Sequence, residues 1–260
     1  MLFIVVLLIV VAIVFFYFRH CKNFIKREFK RCNVIVFGKK GSGKDLLFSW
    51  VIKARKSKHY SNILYDKNTE IKSLSDFSVS PNTYQNLIDG DYKVIEKKLE
   101  EKTDFYISDG GIIIPSQYNG ILDKQFPSFP VFYALSRHLY NSNIHINTQN
   151  LNRVWNKLRE QADAYFKCVS TAVIGRTALT KVIYYEKYES ANNGLLPFKC
   201  GFFASKEKRA LQQDFTAKNG TVKTLYLIQR LPKRGKGYDT RIYHKFLFGY
   251  DAPRRLKRKK

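Results

Sequence analysis

The sequence predicts an α/β domain with a parallel sheet, entered through an N-terminal apolar helix and followed by a β-rich C-terminal appendage. Three observations carry that prediction. Short apolar runs alternate with helical stretches from residue 33 to about 160, the pattern of a parallel sheet with helices on its faces. The first of these runs leads into a glycine-rich turn and then a helix. From about Thr171 the pattern changes to aromatic and β-branched runs at Val182 to Tyr185, Thr221 to Ile228 and Arg241 to Phe248, broken by glycine and lysine turns. These are strands of an appendage or extra strands packed beside the core.

Residues Met1 to Phe18 carry no charge, and their number sits near the lower limit of about 17–25 for a helix that crosses a bilayer. The bare start and the aromatic exit Phe15-Phe16-Tyr17-Phe18 are those of an anchor, where a cleaved signal would have a basic start and a small-residue exit. Arg19, Lys22, Lys26, Arg27, Lys30 and Arg31 follow at once. The positive-inside bias then puts the N-terminus outside and the rest of the chain in the cytoplasm, and the same charges suit anionic headgroups. The whole chain has 46 Lys+Arg against 21 Asp+Glu, a net +25 that attracts nucleic acid or anionic lipid. Cys21, Cys32, Cys168 and Cys200 form no CxxC pair and read as reduced thiols.

The run Val34-Ile35-Val36-Phe37 leads into Gly38-Lys39-Lys40-Gly41-Ser42-Gly43-Lys44-Asp45 and then into Leu46-Leu47. These eight residues fit the phosphate-binding spacing G-x-x-x-x-G-K-[ST] everywhere but the last place. Glycines at such a turn aim backbone N–H groups inward, the next helix points its positive end at the anion, and Lys44 reaches the terminal phosphates. ATP with Mg2+ is the expected cofactor. Asp45 stands where a hydroxyl normally helps to hold magnesium, so a carboxylate there is a candidate metal ligand and makes binding depend more steeply on the ion.

Further on, Asn62 to Tyr65 reads as a short strand and Ser80 to Glu101 as polar and helical near its end. Asp104-Phe105-Tyr106-Ile107-Ser108 then reads as a buried strand ending at Asp109, the place of a Walker B magnesium ligand. Asp109-Gly110 is also a common turn pair. Gly110 stands where many hydrolysing P-loop proteins carry the acid that polarises water. The helical stretch Phe132 to Tyr140 precedes a third strand, Ile144 to Thr148.

The run Ala134 to Asn150, with Arg137-His138 before that strand and Thr148-Gln149 at its end, followed by Val154 and Leu158-Arg159, resembles the zonular occludens toxin family, the assembly ATPases of filamentous phages. The resemblance covers roughly residues 33 to 175. It implies a RecA-like P-loop NTPase core in the host inner membrane that drives virion assembly and extrusion, with phage coat and envelope assembly proteins as partners. It also implies that Gly38, Gly41, Gly43 and Lys44 bind phosphate, Asp109 holds magnesium and Gln149 senses the γ-phosphate or positions water. Arg137, Arg153 and Arg159 become candidates to reach a neighbouring subunit's nucleotide, which requires a homo-oligomer. Read plainly, Gln149 also serves as a strand-end cap and the arginines as a solvated helix face.

This reading divides the chain into an anchor at 1–18, a basic juxtamembrane segment at 19–32, an ATPase core at 33–175, a β-rich region at 176–252 and a basic tail at 253–260. The mixture of Lys, Arg and Tyr at Lys181 to Tyr188 and Lys233 to Tyr243 suits single-stranded DNA as well as the outer face of a sheet. Two other functions fit the same residues: a DNA-translocating ATPase of a plasmid or conjugative element, and a membrane scaffold that binds nucleotide without hydrolysing it.

Overall fold

The computed structural model describes residues 2–55, 59–62, 69–71, 104–125, 129–140, 142–198 and 205–231. The helical reading of Ser80 to Glu101, the strand at Arg241 to Phe248, the basic-aromatic run Lys233 to Tyr243 and the tail at 253–260 lie outside them.

In chain order the described elements are α1 (Leu2–Arg31), β1 (Val34–Phe37), α2 (Lys44–Arg55), β2 (His59–Ser61), β3 (Thr69–Ile71), β4 (Asp104–Ile107), α3 (Gly110–Ile113), α4 (Asn119–Gln125), α5 (Phe129–Tyr140), β5 (Ile144–Thr148), α6 (Asn156–Gln161), β6 (Ala164–Ile174), β7 (Thr177–Tyr185), α7 (Tyr188–Asn192), α8 (Lys206–Asn219) and β8 (Val222–Arg230). The strands form one sheet in the order β3-β2-β4-β5-β1-β6-β7-β8. Every pairing from β3 to β6 is parallel, while β6–β7 and β7–β8 are antiparallel.

The two-residue period of the strands divides the core into two layers. Ile35, Phe37, Phe105, Ile107, Tyr165 and Tyr185 face Phe129, Tyr133, Trp155 and Leu158 on one side. Val34, Val36, Tyr106, Phe166, Val182 and Tyr184 face α1 and α2 on the other, against Phe24, Ile25, Phe29, Leu47 and Phe48.

Two boundaries expected from the sequence are not boundaries in the structure. The helix that starts in the apolar segment does not stop at Phe18 but runs unbroken to Arg31, 30 residues or about 45 Å. Cys21, Phe24, Ile25 and Phe29 recur at helical spacing and are buried on the sheet, so the basic residues between 19 and 31 are the outer face of a core helix. Residues Phe3 to Tyr17 are exposed, and the helix that they begin, taken from Phe3 to Arg31, is long and apolar enough to cross a membrane. Second, of the two placements open to the β-rich region, β7 and β8 take that of extra strands beside the core. The 175/176 boundary falls in the turn between β6 and β7, and β7 and β8 continue the same sheet because β6 pairs along its length with β7.

A buried polar cluster joins α1 to the start of β4. Arg55 Nη1 donates to Phe29 O at 2.9 Å and is ion-paired with Asp104, whose side chain is 1% exposed. Asn143 Nδ2 donates to Lys30 O at 3.0 Å, so the last carbonyls of α1 are capped by residues from α2 and from the entry to β5.

Candidate functional site

Because β1, β4 and β5 are parallel neighbours or near-neighbours, their C-terminal ends lie along one edge of the sheet. Gly38 to Asp45, Ser108-Asp109 and Thr148-Gln149 are therefore brought together, at the edge where α/β sheets bind ligands.

The turn from β1 to α2 has left-handed or otherwise positive φ at Gly38 (148°), Gly41 (80°) and Gly43 (97°). Gly43 also meets a close neighbour: a Cβ there would overlap Thr171 Oγ1 of β6 and crowd the Thr180 side chain of β7. Thr171 Oγ1 donates to Ser42 O at 2.9 Å and lies 3.0 Å from Thr180 Oγ1, so β6 and β7 brace the loop from the side. Lys39 O accepts from Ser42 N and from Lys44 Nζ, each at 3.1 Å. Lys44, 6% exposed, thus lies over the loop with two further N–H donors for an anion. Lys39, Lys40 and Gly41 are exposed along the loop's outer side. Ser42 Oγ is buried without a partner among the described residues, as a phosphate loop's hydroxyl can be.

Asp45, in the first turn of α2, accepts from Asn147 Nδ2 at 2.5 Å. Burial pushes its carboxyl above the ordinary range, against the pull of Lys44 and of hydrogen bonds from Asn147 and Ser108. Asp109 is raised as well, first by burial and then by the nearby Asp45 charge, with Lys44 opposing. Two carboxylates therefore share one region beside Lys44. Asp109 has φ 52° and makes no side-chain capping bond to α3. Asp109 lines a small pocket of about 30 Å³ with Gly111, Ile112, Thr148, Gln149 and Arg153. Among the described residues no group of three or more His, Cys, Asp or Glu could hold a metal. Magnesium needs only one or two carboxylates beside nucleotide phosphates and water, so Asp45 and Asp109 fit it.

Neither a protein-family model nor a curated protein sequence matches this chain. Similar solved structures include the N-terminal domain of zonular occludens toxin from Neisseria meningitidis, at 13% identity and TM-score 0.42 over 78% of this chain and 96% of that one. The genome packaging NTPase B204 of Sulfolobus turreted icosahedral virus 2 in complex with ATP-gammaS aligns at 15% identity and TM-score 0.39, over 77% of this chain and 99% of that one. The same NTPase with sulfate aligns at 13% identity and TM-score 0.40, over 78% and 100%. At identities and TM-scores this low, these likenesses carry no activity over to this chain.

The residues of this chain sort the remaining sequence expectations. Gln149 and Arg153, both exposed, lie beside Asp109 in the small pocket. Arg159 is engaged within its own chain: Nη1 donates to Asn152 O at 3.1 Å and the guanidinium lies 5.4 Å from the centre of the Tyr188 ring. Of Arg137 only the backbone, in α5, is among the described residues. Gly110 is fixed by packing, since a Cβ there would overlap Ile146 Cγ2. A larger residue there requires the Ile146 side chain to shift. Ser108, Asn147, Thr171 and Thr180 complete the site and carry no motif in the sequence. The Thr171 hydroxyl in a β-branched strand and the Asn147 amide at a strand end look ordinary until the fold sets them against the loop.

Proposed function

We propose that this chain is a membrane-anchored, magnesium-dependent P-loop ATPase that powers assembly and extrusion of filamentous virions. The convergence of Lys44, Asp45 and Asp109 at one edge of the sheet carries the ATPase reading. The RecA-like arrangement is supported by the strand order, in which β5 stands between the loop strand β1 and the acid strand β4. The virion-assembly role is supported by the sequence pattern Arg137-His138 and Thr148-Gln149 around β5. The anchor is supported by the exposed apolar half of α1.

In this reading the loop N–H groups and Lys44 bind the β- and γ-phosphates, and the N-terminus of α2 adds its dipole. Asp45 and Asp109 would hold Mg2+, which would supply charge neutralisation at the phosphates. Gln149 orients the attacking water from beside Asp109. Arg153, and Arg137 from α5, are the arginines for a neighbouring subunit's nucleotide, a contribution worth about 10³–10⁵ in rate where such a residue acts. Arg159 is left out of that role by its bonds to Asn152 and Tyr188.

Gly110 and Asp45 favour a second reading, a scaffold that binds nucleotide without turnover. The two are separated by binding and turnover measured together. A fluorescent ATP analogue should bind the parent with Mg2+ and fail to bind Lys44→Ala. Binding with turnover supports the motor, binding without turnover supports the scaffold, and equal binding to parent and Lys44→Ala overturns both. Turnover stimulated by DNA in a salt-sensitive manner would assign the substrate as DNA.

A further inference from the structure

We propose that the β6–β7 hairpin tip, Val173-Ile174-Gly175-Arg176, is a second membrane contact that holds the nucleotide-binding edge of the sheet against the bilayer. The proposal rests on the reading of the apolar half of α1 as a membrane segment.

The register places the tip. α1 runs antiparallel to β8: the Lys223 ammonium lies 4.8 Å from the centre of the Phe24 ring, Tyr17 reaches Thr224 O and the Tyr226 ring, and Ile228 shares a groove with Val11, Val14, Phe15 and Phe18. Ile228 pairs with Leu179 and Leu179 with Ala172, so these three form one row across β8, β7 and β6. Val173, Ile174 and Gly175 lie beyond that row. The hairpin therefore extends past the nucleotide-binding edge in the direction taken by the apolar half of α1.

The surface of the tip fits a bilayer interface. After the irregularity between Cys168 and Ser170, the end of β6 is uncovered. Val173 is 55% and Ile174 80% exposed. Arg176 follows Gly175 in the turn, and Arg230 pairs with Thr177 at the same end. Apolar side chains at a projecting end with arginines beside them suit the boundary between acyl chains and phosphates. Thr171, three residues before Ile174, donates to Ser42 O. A membrane contact at the tip is thereby joined to the phosphate loop through one strand.

The test places a fluorescent noncanonical residue at position 174, or separately at Val10 or Glu160, in the full chain. Each protein is reconstituted in vesicles of mixed zwitterionic and anionic phospholipids, with and without brominated acyl chains. The expected result is loss of most fluorescence at 174 and at 10 with brominated lipid, with the label at 160 quenched only by aqueous iodide. Lipid quenching at 10 but iodide quenching at 174 overturns the hairpin contact and leaves the anchor standing. Absence of lipid quenching at 10 removes the anchor itself. Protection at 174 from both quenchers means that protein covers the tip, which also overturns the proposal.

Discussion

Asn147 Nδ2 donates to Asp45 Oδ1 at 2.5 Å, tying the end of β5 to the residue that follows the P-loop lysine. The bond crosses 102 positions of sequence and fixes a carboxylate where P-loops ordinarily present a hydroxyl. Asp109, its carboxyl raised first by burial, is raised further by the Asp45 charge held there. The site is thus arranged around a like-charge pair that a divalent cation would relieve.

Asp45→Ser should therefore weaken the dependence on magnesium. With Mg2+ chelated, ATP should bind the variant about tenfold more tightly than the parent, one repulsion of about 1.4 kcal/mol having gone. Titration calorimetry with and without chelator measures it. In the parent, Mg2+ affinity should rise with pH as Asp45 and Asp109, both raised by burial, lose their protons.

Gly43→Ala should damage the loop twice, through its φ of 97° and through the Thr171 hydroxyl. A loss of about 1–3 kcal/mol in unfolding free energy is expected, with nucleotide binding abolished. Adding Thr171→Ala should recover only part of the stability, because it relieves the overlap and leaves the backbone strain.

Asp104 gives a pH signature at the other end of the sheet. Burial outweighs the Arg55 charge and the Asn143 bonds and pushes its pKa up from 3.8 to about 6. A folded pKa above the unfolded value means stability that is full below about pH 4 and lost as pH rises through about 6. Relative to the parent, Asp104→Asn should gain about 2 kcal/mol between pH 4 and 7. Urea unfolding at the two pH values checks it, and the cost of leaving Arg55 unpaired cancels in the comparison.

Arg153 and Arg159 should behave oppositely. Arg159→Ala loses its bond to Asn152 and its place over Tyr188, so stability should fall by about 1–2 kcal/mol with turnover per folded molecule unchanged. Arg153→Ala should lower turnover by about 10³–10⁵ while moving stability by less than about 0.5 kcal/mol. Thermal unfolding and steady-state kinetics on both variants separate the roles.

The glycine turn between β1 and α2 was legible because its signal is local: Gly38 to Asp45 follow one another and need only the strand before and the helix after. β4, β5 and β7 were legible from their apolar runs. What could not be read were partnerships set by the sheet. Asn147 with Asp45 and Thr171 with Ser42 join residues more than a hundred positions apart, and an amide or a hydroxyl in a strand gives no local sign of its partner. The course of α1 was hidden for another reason. The charges from Arg19 to Arg31 mask a narrow apolar stripe, Cys21, Phe24, Ile25 and Phe29, that marks this half of the helix as part of the core.

The most direct measurement is steady-state ATP hydrolysis by the detergent-solubilised full chain, with and without Mg2+, beside Lys44→Ala. The account predicts Mg2+-dependent turnover in the parent that disappears in Lys44→Ala while the variant keeps its fold by circular dichroism. Turnover that survives Lys44→Ala, or a parent that neither binds nor hydrolyses ATP, would contradict it.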